Sequence, residues 1–402
     1  MPGTINPLRW VCGLLGKRTH RQADDLQCRQ LLVDVSTIIQ HDARTGIQRV
    51  VRAIWLQLLA TDLSGVRLVP VFATVKRGYC EASPDFLTTG MPDRPVSVRV
   101  AAGDIFLGLD LAAHRLWRHR RQIAGWKRRG VGVHIIVYDM LPLTHPHWFP
   151  DSTGRHFRRW MKILLRHADQ LIGISAHVAD EMRDWLGAHG GRRASEIGIA
   201  RIMLSGDLSA SAPSKGIAER DRALLDHMAT VPTVLMVGTI EPRKAHDKAL
   251  DAMEWLWAQD GDAPMLVIAG RPGWRTEALQ QRLLDHPLRG EQLYWLSDVS
   301  DELLTELYRR AALVLVPSHG EGFGLPIIEA LDQGCKVLAR DLPVFRELER
   351  PGLHFFPSDA PADLAATLMA ALPCPQPQTP TERRGWDEAT ADLLDALKLV
   401  SR

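Results

Sequence analysis

Polar and apolar positions along this chain switch repeatedly between two periods. Short runs rich in Val, Ile and Leu are each followed by a stretch whose apolar residues recur at helical spacing, which predicts strands alternating with helices. Residues 30–35 (QLLVDV), 66–72 (VRLVPVF), 104–108 (DIFLG), 133–138 (VHIIVY) and 170–174 (QLIGI) predict strands. Residues 47–60 predict a helix after the first of these, and Ser175 stands where a helix cap is needed after the last. The 133–138 run is almost wholly apolar, as a parallel strand covered on both faces should be. Residues 206–218 (GDLSASAPSKGIA) are small, polar and Pro/Gly-rich, and read as a linker. The alternation then restarts, with strands predicted at 233–237, 265–269, 292–296, 313–316 and 336–339. A Pro-rich break at 373–381 precedes a last amphipathic helix near 386–400.

A chain of 402 residues exceeds what one ordinary core serves, so two units are expected. The fold class that follows is α/β, with two Rossmann-like domains facing across a cleft. Their expected bounds are an N-terminal extension over 1–28, a first domain over 29–207, a linker over 208–215 and a second domain over 216–372. Residues 373–402 form a connection and a helix expected to cross back to the first domain. Ligands bind at the carboxyl ends of parallel strands, which puts the site in the cleft.

Charge sharpens this division. Residues 1–215 carry 30 Lys/Arg against 18 Asp/Glu, whereas residues 216–402 carry 19 against 29. The first half is therefore expected to face something anionic. Two basic stretches dominate it, Arg115–Arg129 and Arg155–Arg166. The second reads as an amphipathic helix with Phe157, Trp160, Ile163 and Leu164 on its apolar face. One reading lays it on an anionic membrane surface; the other packs it on a sheet with its cations in water. No run reaches the roughly 18 apolar residues of a membrane span. The stretch Val11–Leu15 is too short for a secretory signal, and five cysteines without metal spacing suit a reducing compartment. The expected location is cytoplasmic, with the inner face of the membrane as the extension of that reading. Nucleic acid is not an expected partner.

The most informative segment is Val316-Pro-Ser-His-Gly-Glu-Gly-Phe-Gly-Leu-Pro-Ile-Ile-Glu-Ala330. A buried strand ends, a glycine-rich turn follows, and a helix begins near Leu325-Pro326, where proline has no N–H to leave unpaired. Gly322 and Gly324 permit close backbone approach, and free N–H groups at the new helix make an anion cradle. Glu321 before the turn and Glu329 inside the helix are suited to accept hydrogen bonds from hydroxyls. A second element, Val237-Gly-Thr-Ile-Glu-Pro-Arg-Lys-Ala-His246, sets Gly238, Thr239, Arg243 and Lys244 at a strand's end, where a diphosphate would meet positive charge. In the first domain, Asp42-Ala-Arg-Thr-Gly-Ile-Gln-Arg49 joins the first strand to the first helix. Arg44, Thr45, Gly46 and Arg49 either meet an acceptor or phosphate or simply start that helix. The segment Val137-Tyr-Asp-Met-Leu-Pro-Leu-Thr-His-Pro-His-Trp-Phe149 puts Tyr138 and Asp139 at a strand's end, with His145 and His147 following.

These segments resemble the family-4 retaining glycosyltransferases of GT-B fold, whose signature is two glutamates with seven residues between them, around G-F-G-L-P. Residues 321–329 match it in full, and the resemblance runs from about residue 31 to 360. It implies that Glu329 holds ribose hydroxyls and that Glu321 faces the donor hexose. It implies further that Phe323, Gly324 and Leu325 N–H groups line sugar and diphosphate. Lys244 matches the family's lysine, while Thr239 stands where arginine is common and Tyr138 where histidine is frequent. Asp139 is the acid expected to steer an acceptor hydroxyl. At residues 269–274 and 296–301, which follow consecutive strands, the family holds its nucleobase, although Ser300 and Asp301 also suit a helix cap.

The subgroup joining T-G-I-x-R, (H/Y)-D-x-x-P and G-T-x-E-P-R-K resembles bacterial polysaccharide and O-antigen mannosyltransferases. That implies a GDP-mannose donor and a saccharide or lipid-linked oligosaccharide acceptor; other hexose donors stay open. Retention of anomeric configuration is implied too, and no residue reads as a dedicated nucleophile. Asp260-Gly-Asp262 precedes a strand and reads as a turn. No cofactor and no metal is expected, since Arg243 and Lys244 can take the diphosphate's charge. A sugar-nucleotide epimerase of the same fold and a non-catalytic sugar-nucleotide-binding subunit are the alternatives.

Overall fold

The computed structural model describes residues 28–42, 45–111, 116–210, 216–259, 262–379 and 383–399. The expectations for residues 1–27, Arg44, Arg115, 211–215 and Asp260 lie outside the described residues.

The first unit holds a sheet in the order β4-β3-β2-β1-β5-β6-β7-β8. Its strands are β1 (Arg29–Asp34), β2 (Val66–Phe72), β3 (Cys80–Glu81), β4 (Val96–Ser97), β5 (Ile105–Gly108), β6 (Gly132–Val137), β7 (Gln170–Gly173) and β8 (Gly198–Arg201). All pair in parallel except β3 and β4, which add antiparallel at one edge. The predicted strands appear, and the short β3 and β4 and the half-exposed β8 are added to them. Helix α1 (Gly46–Ala60) follows β1; Thr45 caps it, and Thr45 and Gln48 close a capping box. Helices α2 (Arg120–Arg128), α3 (Asp151–His167) and α4 (Ala176–His189) complete what the site needs.

The basic helix α3 differs from its membrane reading in one respect. Phe157 and Trp160 are each 3 % exposed and belong to the core beneath the sheet, so its aromatics are not interfacial. Only its cationic face meets water. Nearby, the guanidinium groups of Arg118, Arg120 and Arg159 gather on the Trp117 ring, at 5.0–5.8 Å from its centre.

The second unit's sheet is parallel throughout, in the order β11-β10-β9-β12-β13-β14. These are Thr233–Val237 (β9), Met265–Ala269 (β10), Leu293–Leu296 (β11), Leu313–Val316 (β12), Val337–Arg340 (β13) and Leu353–Phe356 (β14). The chain leaves β9 toward one edge and returns at β12 to build the other, so a crevice opens between their carboxyl ends. The loops there are 238–244 and 317–324, which carry both chemical segments found in the sequence. Helices α5 (His246–Trp257), α6 (Asp301–Arg310), α7 (Leu325–Asp332) and α8 (Pro361–Ala371) cover this sheet.

The expected linker is not all free chain. Leu208 is buried in a 3-10 turn, Leu208–Ala210, that touches α1 and α6. The last described helix, α9 (Trp386–Ala396), packs on α1 and β8 of the first unit, as expected of a crossover helix. It is pinned by Trp386 Nε1 donating to Asp207 O at 2.9 Å and by Ser205 Oγ donating to Arg384 O at 2.7 Å.

Candidate active site

The glycine-rich turn after β12 forms because Gly324, at φ 115°, takes a backbone conformation closed to other residues. It leads into α7, with Pro326 in the first turn. Phe323 is buried and anchors the turn in the core. Glu321 is buried at the turn's start and accepts from Ser318 Oγ at 2.8 Å. It also accepts from Lys244 Nζ and from Arg243 Nη1, which reach across from the loop after β9. Arg243 bonds Glu241 Oε1 at 2.6 Å and donates to Gly320 O at 3.1 Å. Burial alone would raise the Glu321 carboxyl, but the two cations outweigh it and hold it at about 2. Arg243 is raised against the pull of its own burial by Glu321 and Glu241.

Gly238, at φ 139°, keeps the β9 turn tight, and its carbonyl touches the backbone of Gly270. Thr239 is turned toward Gly273: a Cβ there would lie 2.9 Å from Thr239 Cγ2. His246 is buried beside Lys244 at the start of α5; burial and Lys244 push its ring down to about 3, so it is neutral.

Glu329, one turn inside α7, is 2 % exposed. Its Oε2 accepts from Tyr308 Oη at 2.8 Å and its Oε1 from Arg49 Nη1. Arg49 belongs to α1 of the first unit and also donates to Asp301 Oδ1 at 3.2 Å. Beside this contact, a Cβ on Gly46 would meet Leu325 Cδ1 at 3.4 Å. Arg49, expected on the acceptor side, thus bonds Glu329 of the second unit. Thr45 serves as the α1 cap.

Asp139 stands at the end of β6 with its Oδ1 accepting from Leu141 N at 3.2 Å. Burial, reinforced by Glu321 and Glu241 and opposed by Arg243, raises its carboxyl to about 6. Tyr138 requires a correction: its phenol donates to Leu109 O at 2.8 Å inside the first unit, leaving only its carbonyl oxygen at the cleft. A buried strand end offers an aromatic ring the core as readily as the cleft. His145 stacks on Trp148 with ring centres 4.2 Å apart and accepts from or donates to Thr144 Oγ1 at 2.9 Å. It supports Trp148, which packs under Gly320, and no bond joins it to Asp139 among the described residues.

Several contributors carried no signal in the sequence. Tyr308 sits at an ordinary helical core position, and Ser318 and Glu241 look like loop residues. Glu181 on α4 is raised to about 7 by burial and by the charges of Asp139 and Asp184. Ser300 caps α6 as its position suggested, accepting from Leu303 N at 3.1 Å.

Two sheets with parallel cores facing across a crevice, with paired carboxylates at a glycine-rich strand-to-helix turn and two cations opposite, define a GT-B glycosyltransferase architecture. Residues 218–390 match the family described as Glycosyl transferases group 1, so this stretch of the chain is a group 1 glycosyl transferase domain. It is 38 % identical over 368 residues to the serotype-specific mannosyltransferase WbdA of Escherichia coli, covering 90 % of this chain and 44 % of WbdA. A D-inositol 3-phosphate glycosyltransferase of Geodermatophilus obscurus is 33 % identical over 220 residues, covering 52 % of this chain and 46 % of that protein. This chain thus spans less than half the length of these two curated relatives. Among solved structures, Anabaena Alr3699/HepE in complex with UDP has a TM-score of 0.58 at 14 % identity, covering 92 % of this chain and 100 % of that one. Sucrose-phosphate synthase from Thermosynechococcus elongatus gives 0.57 at 16 % identity, covering 92 % and 94 %. These structures share the fold.

Proposed function

We propose that the chain is a retaining hexosyltransferase that moves mannose from GDP-mannose to a saccharide or lipid-linked oligosaccharide in bacterial surface polysaccharide synthesis. The observation that carries this reading is Glu321 at the β9/β12 crevice, gripped by Arg243 and Lys244. Paired cations suit a leaving diphosphate, and a carboxylate that they hold in place suits hexose hydroxyls, which supports the reading. The mannosyltransferase names of the Escherichia coli relatives support the sugar.

In this reading Glu329 accepts from ribose hydroxyls, and N–H groups of Phe323, Gly324 and Leu325 line the sugar and diphosphate. The acceptor hydroxyl oxygen bonds the anomeric carbon on the face from which the diphosphate departs. The bond from that carbon to the diphosphate oxygen breaks with its electron pair going to the diphosphate. The hydroxyl proton passes to a diphosphate oxygen. Asp139 orients the acceptor hydroxyl, and Arg243 and Lys244 stabilise the leaving charge. Those two cations make the reaction independent of metal. The exposed cations of α2 and α3 hold the enzyme at an anionic membrane surface by charge rather than by aromatic insertion. Among the described residues no helix is long and apolar enough to cross a membrane.

Thermal stabilisation by a panel of sugar nucleotides in EDTA tests the donor site. A ligand at 100 times its Kd adds about 2.7 kcal/mol of stability. GDP-mannose should stabilise the wild-type chain, and Glu329→Ala should abolish the effect. Stabilisation that ignores Glu329, or that requires a divalent metal, would overturn the reading.

A further inference from the structure

Glu329 receives its two hydrogen bonds from opposite sides of the cleft. Tyr308, on α6 of the same unit, is fully buried, and its hydroxyl reaches Oε2. Arg49, on α1 of the other unit, reaches Oε1. Asp301 and Tyr308 are seven residues apart on α6, hence on one helical face, so a single helix presents one partner to Arg49 and another to Glu329.

We propose that Arg49 is an interdomain clasp that competes with the donor's hydroxyls for Glu329. Tyr308 is the positioning residue that keeps hold of the same carboxylate whether the clasp is made or released. The inference rests on the reading of Glu329 as the acceptor of donor hydroxyls.

Three features of the geometry support it. First, a guanidinium and a ribose hydroxyl are both donors, and Oε1 is the oxygen of Glu329 turned to the cleft, so they are rivals for one acceptor. Second, Arg49 already shares its guanidinium with Asp301 at 3.2 Å. On leaving Glu329 it keeps a carboxylate partner, so its release does not strand a half-buried cation. Third, Tyr308 lies wholly within the second unit, so a donor hydroxyl that displaces Arg49 from Glu329 onto Asp301 alone leaves the Tyr308 bond intact. Glu329 therefore stays aimed while its cleft-side oxygen changes partner. Affinity is lowered by the fraction of molecules in which the site is clasped, and removing the clasp restores it.

The test is isothermal titration of the full chain with GDP, UDP, ADP, CDP and dTDP, the tightest of which becomes the probe. Arg49→Gln should tighten the probe's Kd by about 3- to 10-fold, as expected when a site mostly held in a non-binding state is freed. Tyr308→Phe should weaken it by roughly 10-fold or more, the scale of a hydrogen bond to a charged group. In the Arg49→Gln/Glu329→Gln double variant the tightening should vanish, because there is no charge left to compete for. If Arg49→Gln fails to fold, Arg49→Lys, which lacks the planar fork, should tighten in the same direction. A weaker or unchanged Kd in both Arg49 variants overturns the clasp. A Tyr308→Phe protein that melts earlier but binds equally well overturns the positioning role. Probe binding that Glu329→Gln leaves untouched, or the failure of every nucleotide to bind, overturns the donor reading itself rather than the clasp alone.

Discussion

Gly322 and Tyr138 meet backbone to backbone: a Cβ added to Gly322 would lie 1.8 Å from the Tyr138 carbonyl oxygen and 3.2 Å from Asp139 Cβ. The glycine-rich turn after β12 therefore rests directly on the end of β6. Ser175 Oγ adds a bond to Gly322 O at 2.8 Å. Because the obstacle is main chain, no side chain can yield to Gly322→Ala. We expect the substitution to cost about 1–3 kcal/mol of stability, the scale of overpacking, and to lower kcat by pushing Asp139 away from the donor. Denaturant unfolding alongside steady-state kinetics checks both.

Arg243 and Lys244 share Glu321. Lys244→Ala should lower kcat by about 10²–10³-fold, the typical cost of removing one preorganised contact to developing charge. It also removes one of the two cations that hold the Glu321 carboxyl near 2, so that group should titrate higher. Glu321→Gln added to Lys244→Ala should therefore cost less than the product of the two single effects. Full additivity would mean that the two act independently.

Asp139 gives a pH signature with a definite sign. Its carboxyl is raised from the ordinary 3.8 to about 6, so the folded chain binds that proton more tightly than the unfolded chain. Its stabilising contribution is complete below the unfolded value and is lost as pH rises through the folded one. Asp139→Asn should accordingly be more stable than wild type at about pH 8, with the advantage fading as pH falls toward 4. Melting temperatures across this range measure it, and a constant offset would contradict the assignment.

Glu347 accepts from Ala176 N at 2.7 Å and His177 N at 2.6 Å, capping α4 of the first unit from the second. Glu347→Ala should cost about 1–2 kcal/mol, the range of a lost helix cap. Denaturant titration reads the loss.

Much of this was legible in the residues. Runs such as 133–138 and 313–316 could only be buried parallel strands, and the Glu321–Glu329 spacing marked the site before any geometry. The fate of single side chains was not legible. Tyr138 ends a strand where cleft and core are equally near, and its neighbours in sequence do not say that Leu109 O awaits it. Arg49 looked like an acceptor-side cation because nothing in α1 announces Glu329, 280 residues away. The aromatics of α3 had the spacing of either a buried or an interfacial face, and only the sheet beneath them decided it.

Helix α9 lies beyond the second unit in sequence yet rests on α1 and β8 of the first. Chimeras that swap second units between related chains must therefore take residues 386–396 from the parent that supplies the first unit, not from the one that supplies the second. A single splice near residue 210 would mate a foreign helix with Asp207 and the surface of α1. Recombination that respects the contacts needs two splices, with the second unit inserted as a cassette.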